Sequence, residues 1–399
     1  MSCRVVITGM GCISGLGRNL ADSWSRLAQG EGAIQSEDGA EPAAAVAPEW
    51  LDAALAGRDL RALGKLDPLS AFALASAIEA VEQAGLFGHP VLSERTAILL
   101  GCGSGGNTTI DTAYERLYAR RAARVHPQTI PSSMISAPAS HVGMLLGAHG
   151  PTFVLSSACA SSAHALGEAM HMIRAGRVEV AIAGGAEACL NPGSRVAWSS
   201  LGVLAPDTCR PFSAGRKGLV LGEGAAVLVL ESADHAEARG ATVLGELAGY
   251  GASADAGHIT APDRAGIEAA IRAAHGDAGL AFDEPALISS HGTGTALNDA
   301  AEAAALRSVY GDGLDAHTVI ATKSAHGHLI GGAGAIEFVI GMKALAAGIA
   351  PPVLNYSAPD PACELPLALE PTPVTHRTLV SNSFAFGGLN AVLVGRLAA

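Results

Sequence analysis

Aromatic and charged side chains are both scarce in this sequence. Of its 399 residues, 4% are aromatic and 16% are charged, whereas 49% are apolar and 49 residues are glycine. The core must therefore be filled by alanine, valine, leucine and isoleucine, with glycine allowing close approach of the backbone. This composition predicts extensive burial, including a subunit interface. The length fits two or three ordinary domains or one large fused fold.

Positive charge and paired cysteines are also in short supply. Lysine and arginine number 25 against 37 acidic residues, which gives a net charge of −12 at pH 7. Because binding to a phosphate backbone needs basic stripes, nucleic acid is not expected as a partner. The seven cysteines are scattered, and no C-x-x-C motif occurs. We therefore expect neither a disulfide framework nor a zinc site.

Long uninterrupted apolar runs are missing as well. Residues 126–167 contain no Asp, Glu, Lys or Arg, but prolines and serines interrupt them. A membrane span needs about 20 continuous apolar residues, so this region is predicted to be a buried part of the fold. The first residues, MSCRVVITGMG, predict a strand at once and leave no room for a signal peptide. We expect a cytoplasmic protein with no membrane partner.

A strand followed by a helix is predicted for residues 153–176, FVLSSACASSAHALGEAMHMIRAG. Cys159 lies at the join, surrounded by small residues, where a sharp turn can present a side chain to a cleft. The start of a helix also favours a thiolate, which predicts a lowered pKa for this thiol. The pattern indicates a nucleophile, although free cysteines are often small apolar fillers of a core.

Strands alternate with helices along the whole chain, which predicts an α/β architecture with mixed or parallel sheets. The second half repeats features of the first: a buried strand meets a Gly-rich turn near residues 97–105 and again near 286–295. This similarity indicates an internal duplication with a break near residue 245. The predicted division is 1–245, which carries the cysteine, and 246–399.

Three reactive side chains each follow a predicted strand. They are Cys159, His291 in HGTGT and His328 in KSAHGHLIGG. In open α/β sheets, sites form beyond the carboxyl ends of the strands, so these residues are expected to converge. A thiol and two imidazoles form a reactive set, and they could also bind a metal. The dispersed spacing, without a local ligand pair, argues against a metal.

Four motifs in this order, SSACASS, HGTGT, KSAHGHLIGGAG and NSFAFGG, resemble those of the β-ketoacyl-[acyl carrier protein] synthases. The segments RVVITGMGCISGLG and CRPFSAGRKGLVLGEGA resemble the synthase II type, the elongating branch of the thiolase superfamily. The resemblance covers nearly the whole chain. It implies the thiolase fold, in which two duplicated α/β halves form a five-layered αβαβα sandwich that is usually dimeric.

The resemblance also implies a role for each matched residue. Cys159 would accept an acyl group from a carrier-protein thioester, with the backbone N–H groups of Cys159 and Phe386 forming an oxyanion hole. Loss of carbon dioxide from malonyl carrier protein would then create an enolate. His291 and His328 would donate hydrogen bonds to its oxygen, and the enolate carbon would attack the acyl-cysteine in a decarboxylative Claisen condensation.

Further residues are assigned through the same resemblance. Lys323 and Glu302 resemble an internal ion pair that orients the histidine loops, since buried charges need partners. Substrate is expected on the phosphopantetheine arm of the carrier protein, with no separate cofactor and no metal. Residues that resemble contacts to that arm or gate the nucleophile are Thr260, Thr293, Thr295, Phe384, Phe386, Gly387 and Gly388.

Two partners are implied: acyl carrier protein, and either a second copy of this chain or a chain-length-factor-like subunit. Carrier proteins are acidic, so a local basic patch is expected to receive them. The candidate residues for this patch are Arg58, Arg61, Lys65, Arg210, Arg216 and Lys217.

Ser104 and Thr129 occupy acyl-pocket positions where fatty-acid synthases of this type usually carry bulky apolar residues. Smaller polar residues predict a longer, wider or less apolar pocket, and hence a specialised synthase of a type II polyketide or polyene pathway. Ser213 and Lys217 replace acidic residues that are common in the family. Alternatives are a ketosynthase active only beside a chain-length factor, a non-catalytic partner subunit, and a thiolase. The NSFAFGG region lacks the second cysteine that thiolases usually carry.

Overall fold

The computed structural model describes residues 3–36 and 41–398. The strands are β1 (Val5–Ser14), β2 (Ala43–Ala44), β3 (Thr96–Gly101), β4 (Thr152–Leu155), β5 (Val180–Glu187), β6 (Leu221–Gly222), β7 (Gly224–Ser232), β8 (Gly245–Ala254), β9 (Leu287–Ser289), β10 (Thr318–Ile320), β11 (Ile349–Ala350), β12 (Thr372–Pro373), β13 (Thr378–Ala385) and β14 (Leu389–Leu397). The helices are α1 (Leu20–Ala28), α2 (Pro48–Leu55), α3 (Pro68–Gln83), α4 (Val91–Glu94), α5 (Asn107–Tyr114), α6 (Thr129–Ser133), α7 (Ala137–Leu146), α8 (Ser161–Arg174), α9 (Pro192–Ser200), α10 (Ala233–Ala238), α11 (Arg264–Ala278), α12 (Ala296–Tyr310), α13 (Lys323–His326) and α14 (Ala333–Ala347).

The strand order shows an internal duplication. Ten of the strands in the described ranges form one sheet, in the order β10-β9-β13-β14-β8-β1-β7-β5-β3-β4. The five main strands are β1, β3, β4, β5 and β7 in the first half and β8, β9, β10, β13 and β14 in the second. Counted from the outer edge of the sheet, both halves begin with their third strand along the chain, followed by the second, fourth, fifth and first. In both, the first three of these strands are parallel and the next two pair antiparallel. The predicted duplicated halves are thereby confirmed.

The helices form three layers around the two halves of the sheet. Leu74 of α3 packs in an outer cluster with Ile98 of β3, whereas Leu99, the next residue, points into the central cluster. That central cluster contains residues of α8 and α14, such as Leu166 and Val339, together with strands from both halves. Helices α11 and α12 pack in a third cluster on the outside of the second half. This arrangement is the expected αβαβα sandwich.

Helix α14 is apolar because it lies in the middle layer. Within the described part of the chain, one segment, Ile330–Ala347, is long and apolar enough by composition to cross a membrane, with a mean hydropathy of 1.5 over 18 residues. The fold buries 83% of that segment. A helix that is apolar on every face is typical of the core of a large protein, and this segment is such a core helix.

The helix that follows Cys159 sits directly on the end of the sheet because glycine allows it. A Cβ atom at Gly101, the last residue of β3, would lie 2.2 Å from the backbone nitrogen of Ser162. A Cβ at Gly185 of β5 would lie 2.6 Å from the Ser162 side chain. The first turn of α8 is thus held against two strand ends, which fixes the position of the residues just before it.

Candidate active site

Cys159 lies in a short 3-10 turn, Ala158–Ala160, between β4 and α8. Ala158 has φ +48°, a left-handed conformation that costs an L-residue roughly 1–2 kcal/mol. The Ser161 hydroxyl secures the turn by donating to the Ala158 carbonyl (2.6 Å) and accepting from the Ser157 N–H (2.9 Å). The structure therefore contains the strand-to-helix elbow that the sequence predicts, with the cysteine at its tip.

His328 is the direct neighbour of the cysteine. Its Nε2 lies 3.1 Å from the Cys159 Sγ, and its Nδ1 accepts the N–H of Ile330 at 3.1 Å. Because Nδ1 is an acceptor, the ring proton resides on Nε2 and is directed at the sulfur. Ile330 has φ +39°, which is a strained conformation for a β-branched residue. The tautomer of His328 is thus held by a strained turn.

His291 lies beside His328, with the two ring centres 5.4 Å apart at 80°. The Lys323 ammonium donates to the His291 Nδ1 (3.2 Å) and to the His291 carbonyl (2.6 Å). The second imidazole is therefore also the Nε2–H tautomer. The structure brings Cys159, His291 and His328 together as the sequence predicts.

Both imidazoles are kept neutral. Burial, followed by the charge of Lys323, holds the pKa values of His291 and His328 well below the ordinary value of 6.5. Ligand atoms of Cys159 and the two histidines lie within 4.8 Å of one another, which is close enough for a metal. A histidine binds metal through a bare nitrogen, yet here each Nδ1 accepts an N–H and each Nε2 carries a proton. The arrangement suits two hydrogen-bond donors better than two metal ligands.

The predicted ion pair between Lys323 and Glu302 is wrong. Lys323 forms its ion pair with Glu337 of α14, and both side chains are fully buried. An ammonium has three donors, and those of Lys323 are taken by Glu337 and by the two atoms of His291, so none remains for Glu302. Burial raises the pKa of Glu337 to about 7, and Lys323 opposes that rise.

Glu302 supports the His291 loop in another way. Its two carboxylate oxygens accept the N–H groups of His291 (2.7 Å) and Gly292 (2.9 Å). One turn earlier on α12, Asp299 accepts the N–H groups of Thr293 (3.1 Å) and Gly294 (3.2 Å). Two carboxylates of one helix therefore hold the HGTGT loop by accepting hydrogen bonds from its backbone N–H groups. Burial raises the pKa of both carboxyl groups.

The resting thiol is harder to ionise than the sequence predicts. Burial raises the pKa of Cys159 to about 12; Lys323 and the backbone N–H of Phe386 lower it, while Glu187 raises it further. The expected activation by the helix start does not overcome the loss of hydration in this setting. The sulfur is therefore a thiol at rest and must lose its proton as it reacts.

A cavity of about 320 Å³ leads to the three side chains. Trp198 stacks on Phe386 at one wall, with ring centres 6.1 Å apart and an interplanar angle of 24°. The Gly387 N–H donates to the Ile259 carbonyl (2.7 Å), and both Gly387 and Gly388 have positive φ, which a tight turn there requires. Predicted residues that line this cavity are Cys159, Thr260, His291, Thr293, Thr295, His328, Phe384, Phe386 and Gly388.

The two predicted acyl-pocket residues do not line this cavity. Ser104 is exposed, and Thr129 is buried with its hydroxyl donating to the His126 carbonyl at 2.7 Å. Their assignment to an acyl pocket stays a prediction.

The predicted basic residues do not form one cluster of free charges. Arg216 and Lys217 line the cavity, but Arg216 is mostly buried and pairs with Asp360. Lys217 is exposed. The remaining candidates do not line the cavity: Arg58 pairs with Glu82, Arg61 with Asp59 and Arg210 with Asp207, and Lys65 is exposed.

Several residues of the site were missed from the sequence: Glu337, Glu187, Asp299 and Trp198. A signal existed for the first two. Glu337 interrupts the apolar run of α14, and Glu187 ends the apolar strand β5, so each is a charge placed where burial demands partners. No sequence pattern points to Trp198, because its role comes from stacking on a residue far along the chain.

Comparison with known families identifies both halves of the chain. The family model described as the β-ketoacyl synthase N-terminal domain matches residues 2–236, and that of the C-terminal domain matches residues 244–357. The chain is 42% identical over 401 residues to nodulation protein E of Rhizobium leguminosarum bv. trifolii, covering 99% of this chain and 100% of the relative. It is 35% identical over 405 residues to 3-oxoacyl-[acyl-carrier-protein] synthase 2 of Coxiella burnetii (strain RSA 493 / Nine Mile phase I), covering 98% of each.

Solved structures share the fold along the whole chain. The ishigamide ketosynthase/chain length factor matches with a TM-score of 0.94 and 32% identity, covering 100% of both chains. A type II polyketide synthase acyl carrier protein in complex with its ketosynthase bound to the hexaketide matches with a TM-score of 0.89 and 28% identity, again over 100% of both chains.

Proposed function

The chain belongs to the β-ketoacyl synthase family of acyltransferase-class condensing enzymes, and we propose that Cys159, His291 and His328 carry out its condensation. The observation that supports this assignment is the meeting of one thiol and two neutral Nε2–H imidazoles in a single cavity.

In the first half-reaction the Cys159 sulfur attacks the carbonyl carbon of an acyl thioester. A carbon–sulfur bond to Cys159 forms, the bond to the pantetheine sulfur breaks, and the proton of the thiol leaves with the pantetheine. Negative charge develops on the carbonyl oxygen, where the N–H groups of Cys159 and Phe386 would act as preorganised donors. The Phe386 N–H already acts on the sulfur, since it lowers the pKa of Cys159.

In the second half-reaction a malonyl thioester loses carbon dioxide. The electron pair of the breaking carbon–carbon bond moves onto the thioester oxygen as an enolate, to which His291 and His328 donate their Nε2–H groups. The enolate carbon then attacks the acyl-cysteine, a carbon–carbon bond forms, and the bond to the Cys159 sulfur breaks. The sulfur leaves as a thiolate and takes up a proton from solvent, which restores the resting thiol. Neutral imidazoles suit this task because they donate hydrogen bonds without having to lose a proton.

The experiment separates the two half-reactions. Cys159→Ala should form no acyl-enzyme by intact mass, yet it should still release carbon dioxide from malonyl carrier protein, because both imidazoles remain. A variant with His291→Ala and His328→Ala should show the reverse: acylation without decarboxylation. Condensation by Cys159→Ala at the wild-type rate would contradict the assignment.

The protein is proposed to act in fatty-acid or type II polyketide or polyene biosynthesis, and the acyl substrate of a specialised polyketide or polyene pathway is favoured. Support comes from a matching structure described as a type II polyketide synthase acyl carrier protein in complex with its ketosynthase. Turnover should be compared across saturated and unsaturated acyl carrier proteins of increasing length. Strict preference for long saturated chains would contradict a specialised role.

Acyl carrier protein is the proposed partner at the cavity. A ketosynthase bound to its carrier protein is among the matching structures. Lys217 is exposed on the lining of the cavity and can attract an acidic carrier. No separate cofactor is proposed, since both substrates arrive on the phosphopantetheine arm, and we propose that the reaction takes place in the cytoplasm.

A dimer is proposed through β4. Within residues 3–36 and 41–398 this strand ends the sheet and pairs on one side only, and Phe153 in it is 42% exposed. An unprotected edge strand pairs readily with another chain. The partner is a second copy or a chain-length-factor-like subunit, the kind of partner present in a matching structure. The alternative of a non-catalytic subunit is disfavoured, since the thiol and both imidazoles are present and in contact.

A further inference from the structure

A buried carboxyl group lies near the reactive thiol with no cation to neutralise it. Glu187 ends β5 and is 0% exposed. Among the residues that the structure describes, no Lys, Arg or His nitrogen lies within 4 Å of its carboxylate. None of the proposed bond-making steps uses this residue. A charge in such a place is costly, so its contacts indicate what it does.

The carboxylate of Glu187 joins three segments of the fold. One oxygen accepts the N–H groups of Gly103 (2.8 Å), after β3, and of Gly331 (3.0 Å), after His328. The Cys102 thiol donates to the other oxygen at 3.8 Å. A Cβ at Gly103 would lie 2.7 Å from the carboxylate, so the loop after β3 reaches it only as glycine.

The contact with Gly331 leads to His328. Gly331 follows Ile330, the strained residue whose N–H fixes the Nδ1 of His328. Strain of this kind persists only where surrounding contacts hold it, and the Glu187 hydrogen bond to the next residue is such a contact. Ile330 also lies against Gly103, since a Cβ there would be 2.8 Å from its Cγ2.

Glu187 also acts on the thiol through its charge. It raises the pKa of Cys159, and the other thiols whose pKa it raises are Cys102 and Cys189. Lys323 lowers the pKa of Cys159, and Glu337 raises it. Burial raises the pKa of Glu187 itself to about 7, while the Gly331, Gly103 and Ser104 donors lower it. The carboxyl therefore changes charge in the neutral range.

We propose that Glu187 is a positioning residue of the condensing centre: its carboxylate ties the loop after β3 to the turn that carries His328 and places a negative charge near Cys159. The N–H and hydroxyl of Ser104, one of the departures from the apolar residues of fatty-acid synthases, lower the pKa of this carboxyl and so favour its charged form. The inference rests on the proposed function only in taking Cys159 as the nucleophile.

The test is the rate at which iodoacetamide alkylates Cys159, followed by peptide mass at pH 6 and pH 8. Glu187→Gln keeps an acceptor for the glycine N–H groups but removes the charge. At pH 8 the loss of this charge should lower the pKa of the Cys159 thiol and increase its thiolate fraction, and we expect about threefold faster labelling than in the wild type. At pH 6, where wild-type Glu187 is protonated, the two proteins should label equally.

The matched control is Glu223→Gln. Glu223 is half-buried, and burial likewise raises its pKa to about 7, but it is not among the groups that shift the pKa of Cys159. This variant should label at the wild-type rate at both pH values. Ser104→Ala leaves Glu187 in place but removes the hydroxyl, which should raise the pKa of the carboxyl. The pH above which labelling falls behind that of Glu187→Gln should therefore be higher in Ser104→Ala than in the wild type.

Equal rates for Glu187→Gln and wild type at pH 8, or the same ratio at pH 6 and pH 8, would overturn the proposal. If Glu187→Gln does not fold, the proposal is tested by the pH dependence of labelling in Ser104→Ala, and an unchanged pH dependence would overturn it. Alkylation needs no carrier protein, so it is independent of condensation. If Glu187→Gln shows the expected change in labelling but the wild-type protein never forms an acyl-enzyme, the effect of Glu187 on the thiol stands and the proposed condensing function is wrong.

Discussion

At the scale of single residues, each imidazole of the site presents its Nε2–H group because another N–H group donates to its Nδ1. Lys323 fixes the tautomer of His291, and the Ile330 N–H fixes that of His328. The sequence predicted these reacting residues because each lies in a short distinctive motif. It failed on the partner of Lys323, because Glu302 and Glu337 are both buried acids near it and only the packing of α14 decides between them.

Replacing Lys323 by methionine should leave Glu337 buried and unpaired and deprive His291 of its donor. We expect a loss of about 3–5 kcal/mol in the free energy of unfolding, measured with urea, and at least a tenfold loss of condensation. Lys343→Met on α14, outside the site, should do neither. In the double variant Lys323→Met, Glu337→Met, stability should return while condensation stays low; recovery of both would contradict the role given to Lys323.

The raised pKa of the Cys159 thiol predicts how its reactivity depends on pH. Because that pKa is about 12, the thiolate fraction should grow about tenfold per pH unit between pH 8 and pH 10. The rate of iodoacetamide labelling at Cys159 should follow that rise without levelling off. A plateau near pH 8 would instead indicate the activated thiolate that a helix start alone predicts.

At the scale of elements, turns and helix ends place the chemistry. The strand-to-helix elbow could be predicted from the small residues around Cys159. The suspension of the HGTGT loop from Glu302 and Asp299 could not, because it depends on which face α12 turns toward the loop. The five layers followed from the family resemblance, since alternation of strands and helices predicts only an α/β fold. The local sequence pattern thus indicated the helices, strands and turns, whereas the hydrogen bonds that hold the site loops depend on packing between distant parts of the chain.

The elbow stores strain at Ala158, and glycine should relieve it. Ala158→Gly is expected to raise the free energy of unfolding by about 0.5–1 kcal/mol, because its φ of +48° is free for glycine. The same substitution at Ala269, exposed on α11, should lower it by about 1 kcal/mol. Urea denaturation of both variants checks the pair, and destabilisation by both to the same extent would show that the turn carries no strain.

At the scale of the whole molecule, the open edge of β4 is the feature that predicts assembly. Phe153→Asp places a charge on that edge and should convert the protein to single chains in sedimentation velocity. Leu369→Asp, at a residue 50% exposed near β12, should leave the assembly unchanged. Loss of association in both variants, or in neither, would place the interface elsewhere.

The repeated strand order has a consequence for how catalysis is divided along the chain. Cys159 comes from the first copy of the fold, and His291 and His328 come from the second. Each copy supplies a residue type that the other lacks at the site. The strand order is therefore still symmetric between the two copies, whereas the reactive residues are not. The two copies of the fold are therefore no longer equivalent, and they could exchange roles only if the proposed nucleophile and its two hydrogen-bond donors moved together.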